Sequence, residues 1–398
     1  MTSSVIKDLN LEIRPLQLRD LDGVEQLVNQ VLADDHEKQA NHLRKTLRAF
    51  RQWYGLLKVL RLFPNPTQHR FCLYVAARGD TIDGLIHVSP FNRTRTTWRV
   101  EKILVNPTLQ AGEKLIPAQE VGSHLLRHCL ETIWEARTWL LEVNVNDNES
   151  LGIYRQNGFQ PLAQLTYWAI APDLLNHLAE TPPSVPNLLP VSNADAQLLY
   201  QLDTVSMPPL LRQVFDRHIL DFKTPFWQAL FDNLKKWFNH QERVQGYVFE
   251  PQRKAAIGYF DLKITKNGVK AHKAQLTVHP AYTWLYPELL SQMALAVQNI
   301  PPQTLLLASA DYQPEREEYL EKLGAERTEH TLLMSRSVWH KLRETKPLEG
   351  LQLSDVLQGL QPARTPVPSR ISWMRHFQHQ KPVQGGEKGA EHPPEAHS

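Results

Sequence analysis

The sequence predicts an α/β protein made of two similar halves in tandem, followed by a tail without regular pattern. Three observations carry that expectation. The run Trp139–Phe159 reads as strand, polar turn, short helix, glycine stop and second strand. Upstream of it lie one strand, two helices and three strand-like runs, the first two of these joined by the Gly79-Asp80 turn. Finally, the same prolines and glycines recur at nearly the same spacing in the second half.

Length and composition set the outer bounds. At 398 residues the chain is too long for one ordinary domain. With 42% apolar and 22% charged residues, each half can bury a core of its own. The net charge of +2 argues neither for nor against an anionic partner, and no nucleic-acid partner is expected. Two cysteines, Cys72 and Cys129, are too few for a disulfide framework and suit a reducing compartment. No apolar run is long enough to span a bilayer, and the first residues lack a signal-peptide core. The expectation is a cytoplasmic protein with no membrane partner.

Taken in order, Leu11 to Leu16 reads as a first strand. Asp20 is a plausible N-cap for a helix carrying Leu21, Val24, Leu27, Val28, Val31 and Leu32 at three- and four-residue spacing. A second helix is expected from about His36 to Leu62, with Leu43, Leu47, Phe50, Tyr54 and Leu57 on one face, ended by Phe63-Pro64-Asn65-Pro66. Its basic residues, among them Arg44, Arg48 and Arg51, could attract an acidic ligand or simply form a solvated face. Phe71 to Ala77, Asp83 to Ser89 and Thr97 to Val105 are the three strand-like runs. A helix at about Gln119 to Arg137 follows, with Leu125, Leu126, Cys129, Leu130, Ile133 and Trp134 toward the core. His124 and His128 share a face of it, but the ligands that zinc would further need are missing, so no metal is expected. Val143 and Val145 belong to the next strand, after which Asn146, Asp147 and Asn148 offer caps for the helix ending at Asn157-Gly158.

Two stretches resemble the GNAT acetyltransferase superfamily. Ile153-Tyr154, three residues, then Gly158-Phe159 is similar to that family's Leu-Tyr-x-x-x-Gly-Phe. Glu101, four residues before the valine of Val105-Asn106-Pro107, holds the place of a glutamate common in the family. The resemblance implies a mixed sheet, acetyl-CoA as co-substrate, Tyr154 as general acid and Glu101 as general base. A buried structural tyrosine and an ordinary surface glutamate are the plainer alternatives. It also implies that the backbone of Leu104 and Val105 holds the acyl-pantetheine arm, aided by Asn146 and Asn148. The family's pyrophosphate loop falls on Glu120, Val121, Gly122 and Ser123 at the start of the helix, where free amides and the helix dipole favour phosphate. This sequence departs from the loop pattern: Glu120 stands in place of a glycine and Pro117 in place of a basic residue. Extra residues within Thr108–Ile116 separate the loop from Pro107.

The repeat divides the chain. Pro15 to Gly84 spans 69 positions and Pro190 to Gly258 spans 68; Gly84 to Pro107 spans 23 and Gly258 to Pro280 spans 22. Pro107 to Gly158 spans 51 against 44 from Pro280 to Gly324, a difference matching the extra loop residues. Expected domains are therefore 1–172, a stiff proline-rich linker 173–189, a second copy 190–345, and a largely disordered tail 346–398. The second copy has Leu320 where the first has Tyr154 and Ala274 where the first has Glu101. Its aromatics, including Phe226-Trp227, Phe231, Trp237-Phe238 and Trp284, could line an acceptor cleft or fill a core. In the tail, Ile371 to Phe377 is the candidate segment for a protein partner. The resemblance implies an N-acetyltransferase whose first half acts on a small-molecule or protein amine. A catalytically inactive, GNAT-derived interaction or regulatory protein is the alternative, and transfer of an aminoacyl or fatty acyl group a third.

Overall fold

The computed structural model describes residues 11–31, 43–44, 46–48, 51, 72–107, 110–111, 114–115, 117–223 and 241–338. Most of the helix expected at 36–62, the breaker at 63–66, the aromatics at 226–238 and the tail with its 371–377 segment lie outside the described residues.

The first half begins with β1 (Glu12–Pro15), a 3-10 turn (Leu18–Asp20) and α1 (Leu21–Val31). Leu21, Val24, Leu27 and Val28 of α1 are buried, as their spacing predicts. Asp20, expected to cap this helix, does something else. Its carboxylate accepts the Gln17 N–H at 2.8 Å and both terminal nitrogens of Arg14 at 2.6 and 2.8 Å, tying β1 to the helix start. Then come β2 (Cys72–Arg78), β3 (Thr81–Pro90) and β4 (Thr97–Val105), all antiparallel neighbours. The extra loop residues contain a small hairpin, β5 (Gln110–Ala111) with β6 (Lys114–Leu115). The half ends with α2 (Ala118–Thr132), β7 (Thr138–Asn144), α3 (Asn148–Gln156) and β8 (Gln160–Ile170). Because α2 stops at Thr132 rather than Arg137, Trp134 turns outward; expected in the core, it is 74% exposed.

The stretch expected as a stiff linker holds α4 (Pro172–Glu180) and leads into β9 (Leu188–Pro190). The second half then has α5 (Ala196–Ser206), α6 (Pro209–Phe215), β10 (Gln241–Glu250), β11 (Ala255–Thr265), β12 (His272–Val278), α7 (Leu285–Val297), β13 (Leu305–Ala310), α8 (Pro314–Leu323) and β14 (Glu326–Ser337). The repeated glycines have the same job in both copies. A Cβ on Gly84 would stand 2.9 Å from Leu125 of α2, and one on Gly258 would stand 3.1 Å from Leu285 and Leu289 of α7. Glycine at these sites lets a helix lie close on the sheet. Gly158 and Gly324 close α3 and α8 with φ of 77° and 83°, the left-handed stop that glycine adopts without strain.

Among the described residues, all strands but those of the small hairpin form a single twelve-stranded sheet, in the order β1-β2-β3-β4-β7-β14-β8-β13-β12-β11-β10-β9. The last strands have changed places. β8 of the first half pairs with β13 of the second, while β14 of the second pairs with β7 of the first. β14 and β8 pair with each other at the centre, for example at Thr331 and Leu165. Each half therefore completes its sheet with the other's final strand.

Candidate functional site

The site begins with a break in a ladder. β4 and β7 run parallel and pair only from Thr97 and Thr138 to Val100 and Leu141. Beyond that, β4 keeps β3 and β7 keeps β14, and the two strands part. The cause lies in β4. Val88 of β3 stands opposite Val100 and His87 opposite Lys102, so Glu101 is an extra residue in the strand. Such a bulge bends the strand and re-aims its side chain. Glu101, Leu104 and Val105, named from sequence, thus all lie on the parted segment, whose backbone groups toward β7 are left without a ladder partner there. Burial differs along it: Leu104 is buried and Val105 half-buried, while Glu101 is exposed.

Two helices stand over this gap. Tyr154 of α3 is 7% exposed, its ring edge-on to Phe159 at 6.0 Å. Burial, and then the nearby Asp147 carboxylate, push its hydroxyl above the ordinary tyrosine value, so it is held protonated. Asp147 caps α3 by accepting the Ser150 N–H at 3.0 Å. Its neighbours Asn146 and Asn148 are exposed, and the Asn146 N–H donates to Asn144 Oδ1. α2 starts at Ala118 after Pro117, next to α3: a Cβ on Gly152 would lie 3.9 Å from Gln119 Nε2.

The loop residues sort differently from their sequence assignment. In a helix starting at Ala118, the free amides are those of its first turn, and Val121, Gly122 and Ser123 already sit in the helical ladder. The Glu120 N–H bonds back to the Pro117 carbonyl at 3.0 Å, which leaves Ala118 and Gln119 as the first-turn donors without a backbone partner among the described residues. Ser123 is buried, its Oγ accepting from Asn157 Nδ2 at 2.9 Å. Val121 and Gly122 are buried too, and a Cβ on Gly122 would meet Ile153 at 3.1 Å and Val105 at 3.6 Å. Gly122 therefore serves the packing of α2 on β4 and α3. Glu120 is exposed. His128 of the same helix sits edge-on to Tyr74 at 5.3 Å, and burial lowers its pKa.

Around the mouth of the gap runs a polar network that sequence reading missed. Ser89 Oγ donates to Glu101 at 2.6 Å. Arg99 lies 3.6 Å from Glu101 and donates to Glu142 at 3.1 Å. Glu142 also accepts from the Tyr167 hydroxyl at 2.5 Å and from Thr331 at 2.8 Å. Burial, with Glu142 beside it, raises the pKa of Tyr167. Lys102, half-buried, has its pKa lowered by desolvation, opposed by Asp147 and Glu329. Glu142 was open to detection, being the one carboxylate inside the apolar run Trp139–Val145. Thr331 and Tyr167 were not, because Thr331 lies on the strand of the other half that pairs with β7, and Tyr167 lies on β8 beyond it.

The second half repeats the parted strands but fills the space between them. β12 and β13 pair only at His272 with Leu305 and Lys273 with Leu306. Ala274 stands in ordinary register opposite Leu262, with no bulge. Arg316 of α8, 5% exposed, reaches into the opening: one terminal nitrogen donates to the Leu276 carbonyl of β12 at 2.5 Å, the other to the Ala308 carbonyl of β13 at 3.1 Å. Its guanidinium stacks over Tyr286 of α7 at 5.5 Å. Counting back from the stop glycines, the first half has Ser150 at this place, which is too short to bridge the strands.

No described protein family matches this sequence, and no curated protein matches it either. Solved structures do. A tandem GNAT protein from the clavulanic acid biosynthesis pathway, described as being without AcCoA, superposes with a TM-score of 0.50 at 15% identity, over 83% of this chain and 100% of its own. A GCN5-related N-acetyltransferase from Sphaerobacter thermophilus gives 0.49 at 13% identity, over 83% of this chain and 97% of its own. No helix among the described residues is long and apolar enough to cross a membrane.

Proposed function

We propose, from a chain that has the tandem GNAT fold, that it is an acetyl-CoA-dependent N-acetyltransferase with its chemistry in the first half. One observation carries the reading. The strands of the first half part at the Glu101 bulge, on a strand that α2 packs against at Val105 and Ile103, whereas Arg316 occupies the same opening in the second half.

In this reading the open amides of Ala118 and Gln119, at the positive end of α2, hold the pyrophosphate of acetyl-CoA. The unpaired edge of Leu104 and Val105 receives the pantetheine arm by hydrogen bonds, as a strand would. Glu101, directly or through a water, takes a proton from the acceptor amine, with the Arg99 guanidinium 3.6 Å from it. The amine attacks the thioester carbon, the carbon–sulfur bond breaks, and the departing thiolate takes its proton from Tyr154. Burial keeps that tyrosine protonated and so available as the donor. The acceptor, a small molecule or a protein amine, approaches over the Arg99–Glu142–Tyr167 network. Both cysteines are free thiols, which fits a cytoplasmic setting.

Titrating acetyl-CoA into the full chain by calorimetry tests this, together with thiol release over a panel of amines. One equivalent per chain is expected, and Tyr154→Phe should keep that affinity while losing turnover. Absence of binding up to about 1 mM would overturn the reading. The exposed Glu120 in the first turn of α2 favours the second reading, an interaction protein without chemistry. Thiol release with any amine would exclude it.

A further inference from the structure

The sheet face under α5 borders an open cavity of about 510 Å³, and neither Glu101 nor Tyr154 lines it. Its floor occupies positions that the first half uses for core. In the first half Leu85 stands opposite Val75 and Leu104, and Leu73 opposite His87. In the second half Tyr259 stands opposite Tyr247 and Thr277, and Gln245 opposite Asp261. Leu73, Leu85 and Leu104 therefore have Gln245, Tyr259 and Thr277 as their counterparts. Aligning Asp20 with Asp195 likewise sets Asp203 of α5 in the place of Val28. The first-half set is 0–3% exposed and forms one apolar cluster with α1. Its polar replacements all line the cavity.

Folding does not require this exchange. Polar side chains facing an interior cost free energy unless they find partners, and the first half shows that the same scaffold closes with leucine and valine. A polar floor around a space of this size is what a ligand site needs. The charges say which ligand. Arg243 grips Asp261 through two bonds of 2.8 and 2.6 Å, and Arg217 donates to Asp203 at 2.8 Å, so these pairs largely neutralise each other. Asp221 is taken up by the N–H groups of Arg93 and His218. Arg93, from the loop between β3 and β4, and Lys223 also line the cavity, and neither side chain is paired with a carboxylate among the described residues. The surplus is cationic.

We infer that the second half binds a small polar anion, a carboxylate or a phosphate ester bearing hydroxyl groups, between the polar strand floor and the Arg93–Lys223 side of this cavity. The carboxylate or phosphate meets the two cations. Gln245 and Thr277 bond the neutral groups. The acyl gap of that half is filled by Arg316, so this anion is not a piece of acyl-CoA. The inference stands apart from the acetyltransferase reading and survives if that reading fails.

The test uses the full chain and three probes: citrate, ribose 5-phosphate and uncharged glucose. Calorimetry and the thermal midpoint are read for each, since a ligand that binds the folded state raises that midpoint. At least one anion is expected to bind more tightly than about 1 mM, with glucose inert. Lys223→Glu, at an exposed position, should weaken that binding by about tenfold or more and leave acetyl-CoA affinity unchanged. Gln245→Leu with Thr277→Leu, which restores the first-half residues, should abolish it. Binding of citrate alone identifies a carboxylate and of ribose 5-phosphate alone a phosphate ester. Silence from both anions, equal binding of glucose, or binding indifferent to Lys223→Glu would overturn the inference.

Discussion

Arg316→Met gives the sharpest physical test of why the second half is closed. Methionine keeps most of the side-chain length and can still pack on Tyr286, so little volume is lost. What disappears are two charge-assisted hydrogen bonds, leaving the Leu276 and Ala308 carbonyls without that donor. Each buried acceptor left unsatisfied costs about 1–3 kcal/mol, or about 2–6 kcal/mol together. Against this stands the relief of a buried charge. Arg316 has no carboxylate partner among the described residues, its Nε finds no acceptor, and burial lowers its pKa. Returning that desolvation cost brings the net loss toward the lower end, about 2 kcal/mol. Thermal unfolding of the full chain should show a midpoint lower by about 3 °C. Acetyl-CoA titration of the unaltered chain should give one equivalent. A midpoint equal to or above that of the unaltered chain would refute the reasoning, because the guanidinium would then be a net burden rather than a closure. Two equivalents on the unaltered chain would show that the gap is not closed at all.

Other perturbations separate function from packing. Tyr154→Phe should lower turnover by about 10²-fold or more, the usual contribution of a general acid. It should leave stability nearly unchanged, because burial and the Asp147 charge, and not a hydrogen bond, are what act on the hydroxyl; a large fall in midpoint would mark a structural tyrosine. Since the folded pKa of Tyr154 lies above the ordinary value, its protonated form persists through about pH 10, and an alkaline limb appearing below that in kcat should survive Tyr154→Phe. Gln119→Glu should strengthen α2 by a few tenths of a kcal/mol through its dipole yet weaken acetyl-CoA binding, opposite signs that calorimetry and melting read separately. Gly122→Asp would set a carboxylate among Ile153, Val105 and Ile103 and should destabilise by about 2 kcal/mol or more, so any affinity it loses reports packing first. Arg336→Ala removes a donor from β14 to the Asn157 carbonyl at the end of α3 and should cost about 1–2 kcal/mol in urea unfolding, a direct reading of how far the exchanged strand supports that helix.

Much of this protein is local and therefore legible in the residues themselves. The apolar spacing of α1, the boundaries of β4, the glycine stop after α3 and the recurrence of Gly84 as Gly258 follow from short-range periodicity and backbone freedom. The candidates Glu101 and Tyr154 were legible for the same reason, as spacings within one strand and one helix. Tertiary structure alone decided where β8 and β14 go, because a strand's alternation states which face is buried and not which strand lies beside it. That exchange sets Thr331 of β14 against β7, where it donates to Glu142 together with Tyr167 of β8. It also decided the meaning of Arg316, which in sequence is one more charge on a charged helix, and only the parting of β12 from β13 makes it a plug. The bulge at Glu101 belongs to the same class. An extra residue in a strand is defined by the register of its neighbour, and register is a property of two strands, not of one.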